Sequence, residues 1–230
     1  SVVEGPAPGV KASITKDGDK TPYLRAEITH TDEWAPTLPE SAPPDYSRPL
    51  PYYRNCFVCG HYRTEAGLQR RFRAHPKDDG YLVTCLWDGV EADRERVGNF
   101  LIGKDELHPA VLSSIFDENT AWAGFMKTRA GALSTRMSFR MLRPVNKNER
   151  LVFIGWDAGI RGNPKAPRFF RGGGVVASMN DSGDPEPILY GTGEWIILDQ
   201  YTKQIKQNLL PEDDWQWVFE DDSRISDEVI

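Results

Sequence analysis

The stretch HPAVLSSIFDENTAWAGFM, residues 108–126, decides the fold that we predict for this chain. Val111, Ile115 and Trp122 recur at intervals of four and seven residues, which is the spacing of an apolar stripe on an α-helix. Pro109 suits the first turn of a helix, where its missing N–H costs nothing. We therefore predict one long helix over 108–126.

A second face of this helix is small and polar. Its members are Ser113, Asp117, Thr120 and Gly124. A carboxylate on a largely apolar helix is costly to bury unless it is paired or solvated. Asp117 is therefore a candidate nucleophile, or a general base that activates water. The alternative is an ion pair with Arg136 or Arg140 on the segment that follows the helix.

The neighbours of Asp117 supply further catalytic candidates. Glu118 points about 100° away around the helix, so it is the second choice. His108 stands at the start of the helix, where it either bonds to the backbone or takes a direct catalytic role. Asn119 and Thr120 are candidates for orienting a water molecule or an acyl carbonyl.

Short strand-like segments flank the helix on both sides. They cover residues 68–74 and 81–87 before the helix, and 134–142, 151–156, 169–179 and 188–198 after it. The three glycines at 172–174 indicate a bulge or a close approach of the backbone. One helix is buried well when a curved antiparallel sheet wraps around it. We predict an α+β domain whose last four strands form an antiparallel meander.

The two ends of the chain differ in composition from this domain. Residues 36–51 contain six prolines, which excludes a helix or a central strand and predicts an extended arm. One strand is predicted before it, over 22–30. The predicted organisation is a Pro-rich arm over 1–52, a domain over 53–200 and an acidic tail over 201–230.

The composition excludes several classes of partner. A net charge of −6 over 230 residues argues against nucleic-acid binding, which needs a basic surface. No run approaches the roughly 18 apolar residues that cross a membrane. Three cysteines form an odd count with no disulfide framework, which indicates a reducing compartment and predicts a cytoplasmic protein.

Cys56 and Cys59, followed by His61, have the spacing of half a zinc site. Zinc normally takes four ligands, and a second pair is missing at any usual spacing. Cys85 and His75 are the nearby candidates to complete it. We therefore predict no metal site and no cofactor, with the two cysteines packed under the sheet.

Several short motifs occur in one order along residues 54–198. They are Cys56-Phe-Val-Cys59-Gly60, Gly67-Leu68 with Phe72, His108 with an acid nine residues later at Asp117, Arg143-Pro144, and Gly191-Thr192-Gly193. In order and spacing they resemble the hotdog-fold thioesterase superfamily, in particular the branch related to phenylacetyl-CoA thioesterases. This resemblance implies an α+β hotdog fold, in which a curved antiparallel β-sheet wraps around one long central helix.

The resemblance also implies an activity. It is the hydrolysis of an acyl-CoA or acyl-carrier thioester by Asp117, with CoA entering only as part of the substrate. Hotdog subunits pair so that the pocket lies between two chains, which implies a homodimer or a tetramer. Arginine grips phosphate by forked hydrogen bonds, and the candidates for the CoA phosphates are Arg143, Arg161, Arg168 and Arg171.

One motif departs from the family, because His-Gly-Gly is replaced by His108-Pro109-Ala110. Pro109 has no N–H to polarise a thioester carbonyl. The N–H of Ala110 or Val111 is then the candidate oxyanion donor, since the start of a helix favours negative charge. The departure keeps two alternatives open: a non-catalytic hotdog protein that binds an acyl-CoA or another apolar ligand, and a dehydratase or isomerase.

Overall fold

The structure, a computed structural model, divides the chain into two compact units, Ser1–Ala35 and Pro36–Ile230. It describes residues 47–63, 67–77, 80–88, 100–102, 104–179, 185–211 and 215–220 in full, and the backbone of 2–4, 9–14 and 24–29. The first unit contains an antiparallel sheet of three strands in the order β1-β2-β3. These strands are β1 (Val2–Glu4), β2 (Gly9–Ile14) and β3 (Leu24–Thr29). The strand predicted over 22–30 is β3, and residues 36–46 of the predicted arm lie outside the described residues.

The described part of the second unit consists of strands, one long helix and two shorter helices. In chain order its elements are β4 (Arg48–Pro49), β5 (Tyr52–Tyr53), β6 (Phe72–Lys77), β7 (Gly80–Trp87), β8 (Leu101–Ile102), β9 (Glu106–Leu107), α1 (Pro109–Thr128), β10 (Ala132–Met141), β11 (Leu151–Arg161), β12 (Phe169–Met179), β13 (Pro185–Ile197), α2 (Asp199–Asn208), β14 (Leu209–Leu210) and α3 (Trp215–Phe219). Within these described segments, none of the helices has the length and apolar character needed to cross a membrane.

Seven strands form the main sheet of the second unit, in the order β10-β13-β12-β11-β7-β6-β4. All neighbours in it are antiparallel. The predicted meander holds for β11, β12 and β13, but it is wrong for β10, which pairs with β13 at the far edge instead of with β11. Alternation of apolar residues marks the faces of a strand and does not name its neighbours, so this pairing was not visible in the sequence.

The sheet wraps around α1, which contacts β7, β10, β11, β12 and β13. Twelve of the twenty helix residues are buried, more than a single stripe would bury. The close approach predicted from the glycines is confirmed, because a Cβ at Gly174 or Gly191 would overlap the Phe116 ring. The bulge lies on the neighbouring strand, between Asp157 and Gly159. The predicted α+β fold, an antiparallel sheet around one long helix, is therefore confirmed.

The chain after β13 packs back onto this core. β14 pairs with β5, and Trp217, Val218 and Phe219 of α3 are buried. Arg129, at the end of α1, donates hydrogen bonds to the carbonyl oxygens of Trp217 and Val218, both at 3.0 Å. The predicted boundary of the acidic tail at 200/201 falls inside α2, and residues 221–230 lie outside the described residues.

Candidate functional site

The first turn of α1 is closed by His108. The His108 Nδ1 accepts a hydrogen bond from the Ala110 N–H at 3.0 Å, and the His108 carbonyl oxygen accepts one from the Val111 N–H at 2.9 Å. This is the arrangement of an N-cap residue, which satisfies donors that the helix leaves open. Both N–H groups predicted as oxyanion donors are thus engaged within the cap, and an oxyanion role requires these bonds to open.

Asp117 lies two turns further along α1 and is partly buried. Among the described residues, its Oδ1 is buried and has no hydrogen-bond partner, and no ion pair holds the carboxyl. Burial raises the pKa of Asp117 to about 6 from 3.8, while hydrogen bonding from Trp195 and Ser134 opposes the rise. Asp117 therefore faces the edge of the sheet, where Trp195 belongs to β13 and Ser134 to β10.

Glu118 faces a different part of the molecule. Its Oε2 accepts a hydrogen bond from the Cys56 Sγ at 3.1 Å, across 62 residues of sequence. Its Oε1 is buried and has no partner among the described residues. Burial raises the pKa of Glu118 well above its ordinary value, and the charge on Cys56 adds to the rise. Asp117 and Glu118 thus stand side by side in sequence and meet separate surroundings.

The turn that carries Cys56 and Cys59 presents both sulfur atoms to Glu118. The Val58 N–H donates to the Cys56 Sγ, and the Tyr53 N–H donates to the Cys59 Sγ, both at 3.3 Å. The two sulfur atoms and the Glu118 carboxylate oxygen lie within 4.8 Å of one another. A hydrogen bond from Cys59 lowers the pKa of Cys56 to about 5, while burial raises the pKa of Cys59.

Polar atoms without partners gather around the middle of α1. We call the residues that carry them, Tyr53, Asp117, Glu118, Asn119 and Trp122, the helix-centre cluster; the atoms are Oη, Oδ1, Oε1, Oδ1 and Nε1, respectively. Each such atom costs about 1–3 kcal/mol when it is left unpaired in the interior. Most buried polar groups in folded proteins have partners, so each of these atoms calls for one, such as a ligand, an ion or water. Asp117, Glu118 and Asn119 face different surroundings, so the cluster is not a single binding place.

Asn119 and Thr120, predicted to orient water or a carbonyl, are fully buried. The Asn119 Nδ2 donates to the Val83 carbonyl oxygen of β7 at 3.1 Å, which ties the helix to the sheet. The Thr120 hydroxyl donates to the Phe116 carbonyl oxygen at 2.8 Å, within the helix itself. These bonds engage the Asn119 amide nitrogen and the Thr120 hydroxyl within the protein, and the predicted role of the two residues stays a prediction.

The four arginines predicted to bind phosphate differ in their partners. Arg143 forms ion pairs with Glu149 at 3.0 Å and with Glu186 at 3.1 Å, so two carboxylates already surround it. Arg161 and Arg171 share one carboxylate, that of Glu194, at 3.2 and 3.5 Å.

The fourth arginine, Arg168, is exposed and precedes β12. Within the part of the chain that the structure describes, Arg161 and Arg171 have one carboxylate between them, so together with Arg168 they carry an excess of positive charge there. Arg143 has no such excess. The end of the sheet at β11 and β12 is therefore the better of the two places for a phosphate group.

Sequence reasoning named Asp117 and Glu118 but missed their surroundings. It placed Cys56 and Cys59 under the sheet as packing residues, without a partner on the helix. The signal that was available is the Cys-x-x-Cys-Gly turn, in which a Cβ at Gly60 would overlap the Cys56 backbone. Nothing in the spacing pointed to Glu118, because the contact joins residues 62 positions apart.

Comparisons with known proteins found likenesses among solved structures alone. No protein-family model matches the chain, and no curated protein matches it. A hypothetical thioesterase with coenzyme A from Streptococcus pneumoniae has 12% identity and a TM-score of 0.42, over 56% of this chain and 86% of that one. Thioesterase superfamily member 2 of zebra fish has 14% identity and a TM-score of 0.44, over 57% and 83%.

The PaaI protein from the phenylacetic acid degradation operon of E. coli has 13% identity and a TM-score of 0.41, over 54% of this chain and 82% of that one. At such identities a likeness concerns the fold alone. The strand order and the enclosed helix of this chain establish that fold independently. The predicted α+β hotdog architecture, an antiparallel sheet around one long helix, therefore rests on the strand order and the helix of this chain itself.

Proposed function

We propose that this protein hydrolyses an acyl thioester, carried by CoA or by a carrier protein, with Asp117 as nucleophile or general base. The observation that carries the proposal is the unpartnered Asp117 Oδ1, buried on the polar face of α1 beside Trp195 and Ser134. A carboxylate oxygen without a hydrogen-bond donor is free to accept a proton from water or to attack a carbonyl carbon.

In the general-base route, Asp117 takes a proton from a water molecule whose oxygen attacks the thioester carbonyl carbon. The tetrahedral intermediate then expels the thiolate, which leaves as the thiol when it takes up a proton, and the carboxylic acid is released. In the nucleophile route, Asp117 itself attacks, the thiol leaves, and water cleaves the resulting anhydride. Both routes need donors for the oxyanion, and removing one such donor in a hydrolase costs about 2.7–4 kcal/mol.

The start of α1 in the same chain does not supply those donors. Asp117 lies nine positions after His108, about 13 Å along the helix axis. A second chain can bring its own helix start to Asp117, and this is the homodimer that we propose, alone or paired again into a tetramer. The N–H groups of Ala110 and Val111 of that second chain are the proposed donors, once released from the His108 cap.

The edge of the sheet supports pairing with a second copy. β10 ends the strand order, so one side of this ten-residue strand has no neighbour in the sheet among the described residues. The free N–H and C=O groups of an edge strand can pair with a strand of another chain, and proteins usually cover such edges or make pairing there unfavourable. Leu133 and Phe139 of this strand are 43% and 40% exposed, which a partner would bury. Ser134 of the same strand faces Asp117, so a chain docked there would also form a wall of the site.

A second candidate function is binding without hydrolysis. The observation that favours it is the closed cap, in which the N–H groups of Ala110 and Val111 are both engaged and Pro109 has none. An acyl-CoA held beside Asp117 without a polarised carbonyl would stay intact. The two functions share one site and differ in whether thiol is released.

A panel of acyl-CoA thioesters, assayed for free thiol, tests the proposal. We expect turnover by the unaltered chain and a loss of about 10²–10⁴-fold in kcat for Asp117→Asn, the usual contribution of a general base. The folded state should persist, because the amide keeps the shape of the carboxyl and avoids burying a charge. The melting temperature measures this.

Glu106→Gln, a carboxylate outside the helix-centre cluster, is the matched control and should leave kcat unchanged. Near-normal turnover by Asp117→Asn would remove Asp117 from the mechanism. Saturable binding of an acyl-CoA without thiol release, across the whole panel, would select the binding function.

A further inference from the structure

Glu118, the second acid of α1, has no role in the hydrolysis proposed above. Two thiols and one carboxylate, from Cys56, Cys59 and Glu118, converge within 4.8 Å from a turn and a helix that are 59 or more residues apart in sequence. Zinc bound to Cys sulfur at about 2.3 Å and carboxylate oxygen at about 2.0–2.2 Å holds its ligands at separations of this order. Within the described segments, Cys56, Cys59 and Glu118 are the one group of three potential metal ligands whose ligand atoms lie this close together.

The turn is built to hold sulfur atoms that carry negative charge. Each sulfur accepts a backbone N–H, from Val58 and from Tyr53, at 3.3 Å. The Gly60 N–H bonds back to the Cys56 carbonyl oxygen at 2.9 Å, and Gly60 leaves no room for a side chain. Such a turn aims both sulfurs the same way, and N–H donors stabilise a thiolate.

The oxygen of Glu118 adds an independent sign of a ligand. Its Oε1 is buried and has no hydrogen-bond partner among the described residues. The other oxygen of the carboxylate, Oε2, accepts a hydrogen bond from the Cys56 sulfur. The Trp122 Nε1 and the Tyr53 hydroxyl of the helix-centre cluster are also buried without partners. Arg71 contributes a guanidinium to this region, but its Nη1 donates to the Cys59 carbonyl oxygen at 2.9 Å.

We propose that Cys56, Cys59 and Glu118 bind a zinc ion whose fourth position is taken by water. Two thiolates select a soft, tetrahedral cation, and three protein ligands plus water make an open zinc site. Binding releases the thiol protons, and any proton on Glu118, to solvent, and the two positive charges of zinc offset two of the three negative charges of its ligands.

The ion would also change how the chain is held together. The segment 53–60 is held by the pairing of β5 with β14, and by hydrogen bonds from the Leu68 and Arg70 N–H groups to the carbonyl oxygens of residues 57 and 58. A zinc ion bridging this segment to α1 fixes it directly on the helix that carries Asp117. The inference does not depend on hydrolysis, because a structural zinc ion would bind the same three residues.

The test is the metal content of the full chain, produced without a histidine tag in zinc-supplemented medium. We expect about one zinc ion per chain by elemental analysis, as for a single three-ligand site. Cys56→Ser, Cys59→Ser and Glu118→Gln should each lose it, while Cys85→Ser, the remaining cysteine, should keep it. Asp117→Asn should lose hydrolysis and keep zinc, which separates the two proposals.

A second measurement uses the unaltered chain and so does not depend on how the variants fold. Cobalt added to the metal-free protein should give the sulfur-to-cobalt charge-transfer absorption of thiolate ligands, and zinc should displace it. The proposal is overturned if the unaltered chain holds no more zinc than Cys56→Ser and shows no such absorption. A Cys56–Cys59 disulfide in freshly purified, metal-free protein would overturn it equally.

Discussion

The two ends of the sequence motif from His108 to Asp117 meet opposite conditions in the fold. At the start of α1, His108 satisfies the N–H groups of Ala110 and Val111 within the helix cap. In the middle of the same helix, oxygen atoms of Asp117 and Glu118 are buried and have no partners among the described residues. The first region is closed by its own chemistry, and the second is left open.

This difference between the start and the middle of α1 indicates which part of the helix serves stability and which part serves binding. Closing a cap contributes about 0.5–2 kcal/mol and needs nothing from outside. Leaving several polar atoms buried and unpaired costs more than that, so it persists only where something else compensates. Asp117 toward the sheet edge and Glu118 toward the cysteines are therefore the places where a substrate and a metal ion are proposed.

Among the substitutions that we predict, Asn119→Ala should have the largest effect on stability, because Asn119 is buried and its amide nitrogen bonds to the sheet. Asn119→Ala removes its bond to the Val83 carbonyl oxygen and leaves a gap opposite Gly155. We expect the free energy of unfolding to fall by about 2 kcal/mol, the usual cost of a lost buried hydrogen bond. Urea titration measures it, with an unchanged slope.

Asn148→Ala, in an exposed turn, is the control and should change the midpoint little. The folded fraction of Asn119→Ala should keep its kcat. A loss of kcat as large as that of Asp117→Asn, at normal stability, would move Asn119 from the structural to the functional side of the comparison.

His108 tests the closed region with a smaller effect. His108→Ala removes the acceptor of the Ala110 N–H and should cost about 1 kcal/mol, the usual cost of a lost cap. His108→Asn should restore most of this stability, because Asn is a favoured N-cap residue. Thermal unfolding of the two variants measures the difference.

Hydrolysis by the same two variants then decides the role of His108. If it acts only as a cap, His108→Ala frees the Ala110 N–H, so kcat of the folded fraction should not fall in either variant. Equal and large losses of kcat in both variants, with stability restored in one of them, would instead assign His108 a direct part in the chemistry.

The surface arginines show a similar contrast between cations that carboxylates already surround and cations that have fewer carboxylates near them. Replacing Arg168 and Arg171 together by Ala should raise the KM for an acyl-CoA by roughly fivefold, since an exposed charge contact is worth at most about 1 kcal/mol. The effect should shrink as salt is added. Arg143→Ala, whose guanidinium is already held by Glu149 and Glu186, should leave KM unchanged. A larger KM effect from Arg143 would reverse this assignment.

Much of the fold was predictable because it depends on local patterns. The helix predicted over 108–126 is Pro109–Thr128, and the strand predicted over 169–179 has those bounds in the structure. The position of β10 beside β13 was not predictable, because alternation along a strand fixes which residues face inward but not which strand lies next to it.

The site divides in the same way. The nine-residue spacing from His108 to Asp117 marked a carboxylate on the helix, but it also suggested free N–H groups that the cap in fact engages. The proposed zinc ligands were predictable in part, since Cys56 and Cys59 lie three residues apart and Glu118 reaches them only through folding.

By itself, the sequence determined the long helix, the strands around it and the acid on its polar face, because periodicity and local propensity act over a few residues. Tertiary structure decided which polar atoms found partners. That outcome depends on contacts between distant segments, such as the turn at Cys56 against Glu118 and β13 against β10, which no local pattern encodes.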